Sequence, residues 1–274
     1  MPRAVCLTNV AHEGPGMLGE LLSEAGYQVE VIEAFRGAAL PENLGAKDIL
    51  IVMGGPMGVA DIGKAEFPWL APVVELLRSR LAKDWPCVGV CLGMQLIAHA
   101  AGAKVSPMID ADGRRLREVG WGRLDFVGTD KITCGLPASI EVLHWHGDAC
   151  ELPRGASLLA STKICPVQIF QLGRSFGMQF HPEIDGPTAC LWAEADAEFV
   201  QAANGPEGVA HLQAASVEAT RRTYAHRRRL LSQALVAVTG RRGAAERGAD
   251  ERQGSSGEKG RAGYLGRYPL SDVG

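Results

Sequence analysis

Three things are scarce in this chain, and each scarcity removes a class of protein. The seven cysteines (residues 6, 87, 91, 134, 150, 165 and 190) are odd in number, scattered, and include no CxxC pair. That spacing argues against a disulfide framework or a structural zinc site. No apolar run approaches the roughly 20 residues needed to cross a bilayer. The opening MPRAVCLTNVAHEGPG holds only a brief apolar run before polar residues and glycines, so no secretory signal is expected. Excess charge is absent too: 28 Lys and Arg against 31 Asp and Glu leave −3, without the footprint of nucleic-acid binding. The expectation is a soluble cytoplasmic protein with reduced thiols, acting neither on a membrane nor on nucleic acid.

What is present suits an ordinary globular chain: 274 residues, 46% hydrophobic and 22% charged, enough to bury one substantial core. In the first hundred residues, strand-length apolar runs alternate with helical patterns. Strands are expected at Ala4–Thr8, Gln28–Ile32, Asp48–Met53 and Cys87–Val90, and helices at Met17–Ala25, Trp69–Leu81 and Leu92–Ala101. This alternation implies a parallel sheet with helices on both faces, and ligands at the carboxyl ends of its strands. After Lys104, β-like runs at Arg123–Val127, Ile140–Trp145, Ser157–Ala160, Val167–Gln171 and Ser175–Phe180 are separated by turns, which predicts added antiparallel strands. Helices are expected at Thr188–Ala203 and, as one or two, at Val209–Val238. From Thr239 the chain is polar and glycine-rich, a composition that cannot fold alone. The expected division is 1–203, a helical extension 204–238, and a disordered tail 239–274.

Four stretches can carry chemistry. VGVCLGMQLIAHAAG places Cys91 where a strand turns into a helix, with Gly89 and Gly93 on either side. This is a thiol version of the nucleophile elbow: the helix N-terminus favours a thiolate, and the Leu92 amide faces a developing oxyanion. Taken alone, a buried core cysteine is nearly as common a reason for such a pattern. VMGGPMG (Val52–Gly58) offers backbone N–H donors at a strand's carboxyl end, or a plain turn. In MQFHPEI (Met178–Ile184), His181 and Glu183 share one side of an extended chain, the arrangement of a base and the group that orients it, or simply a structural histidine at a strand end. In LHWHGD, His144 and His146 could ligate a metal with Asp148 or Glu183 as an oxygen donor, but a loop at residues 146–148 lining a pocket is the preferred reading. The arginines of RRTYAHRRRLL (Arg221–Leu231) read as a solvated helix face.

The order of these stretches, MGGPMG, GVCLGMQ, HWHGD and QFHPE, resembles the class I (triad-type) glutamine amidotransferases over roughly Met1–Phe199. HEGPG, GGPMGVAD, PWLAP and REVGW are most similar to the stand-alone, GMP-synthase-like branch. The resemblance implies a three-layer, flavodoxin-like α/β fold with a mostly parallel sheet and added antiparallel strands. It implies Cys91 as nucleophile, His181 as base and acid, and Glu183 as its orienter. The oxyanion is then held by the amides of Gly55 and Leu92, and the substrate by Gln95, Met57, Gly147 and Asp148. The implied reaction is hydrolysis of glutamine's side-chain amide through a γ-glutamyl thioester, with no cofactor and no metal. Nothing after Phe199 resembles a synthase, so the ammonia acceptor is a partner chain or is absent. Two alternatives accompany this reading: a hydrolase of γ-glutamyl peptides or conjugates, and a silent binding or regulatory protein.

Overall fold

Alternation of side chains along the first strand sets the architecture. In the computed structural model, which describes residues 1–128 and 130–241, β1 (Arg3–Thr8) is buried on both faces. Ala4 and Cys6 join one apolar layer, while Val5 and Leu7 join the other. A strand buried on both sides belongs in the middle of a three-layer sandwich.

The chain continues through α1 (Gly16–Glu24), β2 (Gln28–Glu33), β3 (Ile49–Val52), α2 (Leu70–Ala82), β4 (Cys87–Val90) and α3 (Leu92–Ala100). It then adds β5 (Val105–Pro107), β6 (Glu118–Phe126), β7 (Ser139–His146), β8 (Asp148–Cys150), β9 (Ser157–Ser161), β10 (Ile169–Leu172) and β11 (Ser175–Met178). Three helices follow: α4 (Gly186–Ala195), α5 (Ala197–Asn204) and α6 (Gly208–Thr239).

Nine strands form one sheet in the order β2-β1-β3-β4-β11-β10-β9-β6-β7, and β5 pairs with β8. From β2 to β11 the pairing is parallel; from β10 to β7 it is antiparallel. One layer packs Leu18 and Leu22 of α1 with Leu230, Leu231, Leu235 and Val238 of α6. The opposite layer packs Val73 and Leu77 of α2 with Met94, Leu96 and Ile97 of α3. Among the described residues, no helix is long and apolar enough to cross a membrane.

The structure departs from the sequence expectations in four places. β11 was expected among the added antiparallel strands, but it lies parallel to β4, with Met178 opposite Val90. The expected single helix at 188–203 is two helices, because Asp196 leaves helical geometry (φ −119°, ψ 39°). Residues 146–148 are not a free loop: His146 ends β7 and Asp148 starts β8. The fourth departure is β5, too short to show a period. The expected tail beyond Arg241 lies outside the described residues.

Candidate active site

The two glycines around Cys91 explain the elbow. A Cβ on Gly93 would stand 1.9 Å from the Val52 carbonyl oxygen, and one on Gly89 would stand 2.4 Å from the Gly93 backbone. Only bare backbone lets α3 start this close to the sheet. Cys91 itself takes φ +51°, ψ −108°, a conformation that residues other than glycine rarely hold. Its thiol donates to the Trp145 carbonyl at 3.6 Å.

Parallel pairing brings the histidine to the same end of the sheet. Val90 and Met178 are register partners, and the Cys91 amide donates to the Met178 carbonyl at 2.8 Å. Three residues further on, the His181 amide donates to the Leu143 carbonyl. The Nδ1 of His181 lies 2.9 Å from Glu183 Oε1, with both side chains buried. Burial works against a charged imidazole here, but Glu183 and the contact with Cys91 outweigh it and hold the His181 pKa well above the ordinary range. Trp192 meets the imidazole edge-to-face, its ring centroid 4.9 Å away.

A cleft of about 600 Å³ opens at this point. Gly55, Met57, Cys91, Gln95, Gly147, Asp148 and His181 all line it. Leu92 and Glu183 do not line the cleft; Glu183 reaches it through His181. The Gln95 amide nitrogen donates to Gln179 Oε1 at 3.1 Å and to the Asp148 carbonyl at 3.3 Å, which fixes the side chain between α3 and β8.

Four contributors were not read from the sequence. Asn9 Nδ2 donates to the carbonyls of Met53 and Gly54, and its Oδ1 accepts from Trp69, so the turn into Gly55 is held from below. Glu13 lies against Gly54 and His181; burial is the main force raising its pKa to about 7. HEGPG was visible only as a phrase of the resemblance, and no local pattern marks either residue. Trp192 arrives from α4. Arg227 corrects the reading of the basic stretch as a solvated face: it is fully buried, and its Nη1 donates to the carbonyls of Pro182 and Ile184, on either side of Glu183.

Comparison with known proteins shows the family and the fold. The sequence profile of the family described as "Glutamine amidotransferase class-I" matches residues 16–189. The chain belongs to the class-I glutamine amidotransferases. Among curated relatives of this amidotransferase, the glutamine amidotransferase-like protein YfeJ of Salmonella typhimurium is 30% identical over 183 residues, covering 64% of this chain and 74% of that protein. A "GMP synthase [glutamine-hydrolyzing]" of Syntrophomonas wolfei is 42% identical over 138 residues, covering 49% of this chain and 24% of that protein. The chain thus spans about a quarter of the length of the GMP synthases it matches. A crystal structure of a Thermotoga maritima glutamine amidotransferase superposes with TM-score 0.74 at 26% identity, covering 87% of this chain and 98% of that one. The fold of the amidotransferase is therefore that of the class-I, flavodoxin-like domain.

Proposed function

We propose that this chain hydrolyses the side-chain amide of L-glutamine, with Cys91, His181 and Glu183 as a catalytic triad. The observation that carries the reading is the β4–β11 register, which sets a strained cysteine at a helix start beside a carboxylate-paired histidine. The Cys91 proton passes to His181, and the sulfur attacks the amide carbon. The resulting oxyanion is held by the amides of Gly55 and Leu92. His181 returns the proton to the leaving nitrogen, ammonia departs, and a γ-glutamyl thioester remains. Water, deprotonated by His181, then opens the thioester to glutamate and the free thiol. Glu183 keeps the imidazole in the required tautomer and offsets its charge. Gln95, Met57, Gly147 and Asp148 hold the amino-acid end of the substrate. Family membership and the glutamine-hydrolyzing name of the GMP synthases support this substrate.

In this reading residues 1–203 carry the amidotransferase domain and residues 204–238 a helical extension that braces it. Ammonia goes to a synthase on another chain. The test is release of ammonia from L-glutamine by wild type and Cys91→Ala, with mass spectrometry of wild type quenched in acid. Turnover lost in the variant, with a glutamyl adduct on the Cys91 peptide, supports the proposal; turnover surviving Cys91→Ala sinks it.

A further inference from the structure

Beside the cleft, the β6–β7 ladder gathers a second group of polar side chains that the hydrolysis does not use. Glu118 and His146 are cross-strand partners, as are Gly120 and His144. Residues two apart on a strand share a face, so Glu118, His144 and His146 converge on one side of the ladder. Gly122 leaves room for the His144 ring, which lies 3.0 Å from where a Cβ on that glycine would be. Glu118 Oε2 is 3.0 Å from His146 Nε2 and 3.9 Å from His144 Nδ1, and one donor atom from each of the three lies within 4.8 Å of the others.

The hydrogen bonding around this group is incomplete. His146 Nδ1 faces the Asp148 carbonyl at 3.1 Å. A carbonyl only accepts, so Nδ1 carries the proton, and Nε2 of a neutral ring turns its lone pair on the Glu118 carboxylate. Two acceptors at that separation need a proton or a cation between them. His144 is 4% exposed, and among the described residues neither of its ring nitrogens meets a partner at hydrogen-bond geometry, although the Arg123 backbone lies near the ring. Gln168 is fully buried and donates through Nε2 to Glu118 Oε2 at 2.5 Å, with His146 Nε2 3.4 Å from the same nitrogen, while among the described residues its Oε1 has no partner. Buried polar groups without partners are rare, and here three such atoms sit in one cluster.

We propose that Glu118, His144 and His146 bind one divalent transition-metal ion, zinc by the donor chemistry, with Gln168 Oε1 as fourth ligand after its amide turns over. Tetrahedral zinc with bonds near 2.0 Å sets its donors about 3.3 Å apart, within the range of separations seen here. The supporting shell is present: the Asp148 carbonyl fixes the His146 tautomer, and the Thr162 hydroxyl donates to Glu118 Oε1 at 2.5 Å. The site is structural and takes no part in bond breaking. It pins the end of β7, whose Trp145 carbonyl receives the Cys91 thiol, and the start of β8, whose Asp148 carbonyl receives Gln95. The proposal departs from the sequence expectation of no metal; Glu118 stands 28 residues before His146 and joins it only through strand register.

The test uses the full chain in a Cys91→Ala background, so that the reactive thiol cannot capture metal. Metal analysis after exhaustive dialysis is expected to give about one zinc per chain, and zinc added to stripped protein is expected to raise the melting temperature to a plateau. X-ray absorption at the zinc edge is expected to show two imidazoles, light-atom ligands otherwise, and no sulfur. Glu118→Gln and His144→Ala lose stoichiometric binding, and Thr162→Val weakens it by roughly 10- to 100-fold. Because the absorption spectrum needs no variant at the site, the proposal stays testable if the ligand variants fail to fold. A metal-free protein whose melting temperature ignores excess zinc overturns it, as does a spectrum dominated by sulfur.

Discussion

Replacing Arg227 with methionine tests whether the C-terminal helix helps set up the proposed triad. Methionine keeps most of the apolar stem and removes the guanidinium. Lost with it are bonds to the Pro182 and Ile184 carbonyls at 2.7 and 2.8 Å, to Thr223 Oγ1 at 2.9 Å and to the Thr220 carbonyl at 3.1 Å. The stacking over the Trp121 ring goes as well. Each charge-assisted bond to a loop carbonyl contributes about 1.5–3 kcal/mol, and the cost of burying the charge, now removed, offsets part of that sum. A net loss of about 3–5 kcal/mol follows, which for a chain of this size lowers the melting temperature by roughly 10 °C. The catalytic effect is separate. Pro182 and Ile184 bracket Glu183, so freeing their carbonyls lets the carboxylate drift from His181, and a displacement near 1 Å costs about 100-fold in kcat. Urea denaturation and glutamine turnover, both at a temperature where the variant is folded, measure the two effects. Arg227→Lys should recover part of the stability but little of the turnover, since one ammonium cannot serve both carbonyls and the two threonines. Methionine at full stability, or with kcat within threefold of wild type, refutes the reasoning.

Other outcomes follow from single contacts. Glu183→Gln should lower kcat by roughly 10³–10⁴-fold with the melting temperature nearly unchanged, and a loss under tenfold in steady-state assays would remove Glu183 from its assigned role. Gly93→Ala forces a methyl against the Val52 carbonyl, which no rotamer relieves, so it should cost about 3 kcal/mol or more; a near-native melting curve contradicts this. Glu13 has its pKa raised from 4.5 to about 7, so the folded state holds its proton more tightly than the unfolded state. Its contribution to stability is full below about pH 4.5 and falls by up to roughly 3 kcal/mol as pH rises through 7. Glu13→Gln removes that slope, so wild type should lose ground to the variant between pH 5 and pH 8 in urea titrations; a constant difference would show that Glu13 does not titrate there.

What the sequence reveals depends on how far apart the cooperating residues lie. The elbow is legible because its constraints are local: Gly89, Cys91 and Gly93 sit within five residues, and the clashes that demand glycine arise at the same turn. His181 and Glu183 are two apart on extended chain, so their pairing can also be read directly. Glu118 is a different case. Its tie to His146 depends on pairing β6 with β7 in one register out of several, and the sequence holds no signal for that choice. Arg227 misleads for a related reason: it stands among arginines 221, 222, 228 and 229, and composition cannot tell the one turned inward from its exposed or half-buried neighbours. Asp196 ends α4 by backbone conformation, with no proline or glycine to announce the break.

The placement of α6 also imposes an order of assembly. A chain made from its N-terminus has produced Cys91, His181 and Glu183 before residues 208–239 exist. Until that helix docks, the layer containing Leu18, Ile51 and Val90 lacks its cover, and the loop around Glu183 lacks the Arg227 clasp. The Pro182 and Ile184 carbonyls on either side of Glu183 therefore gain their Arg227 partner only after residues 208–239 have been made and the helix has closed over the sheet.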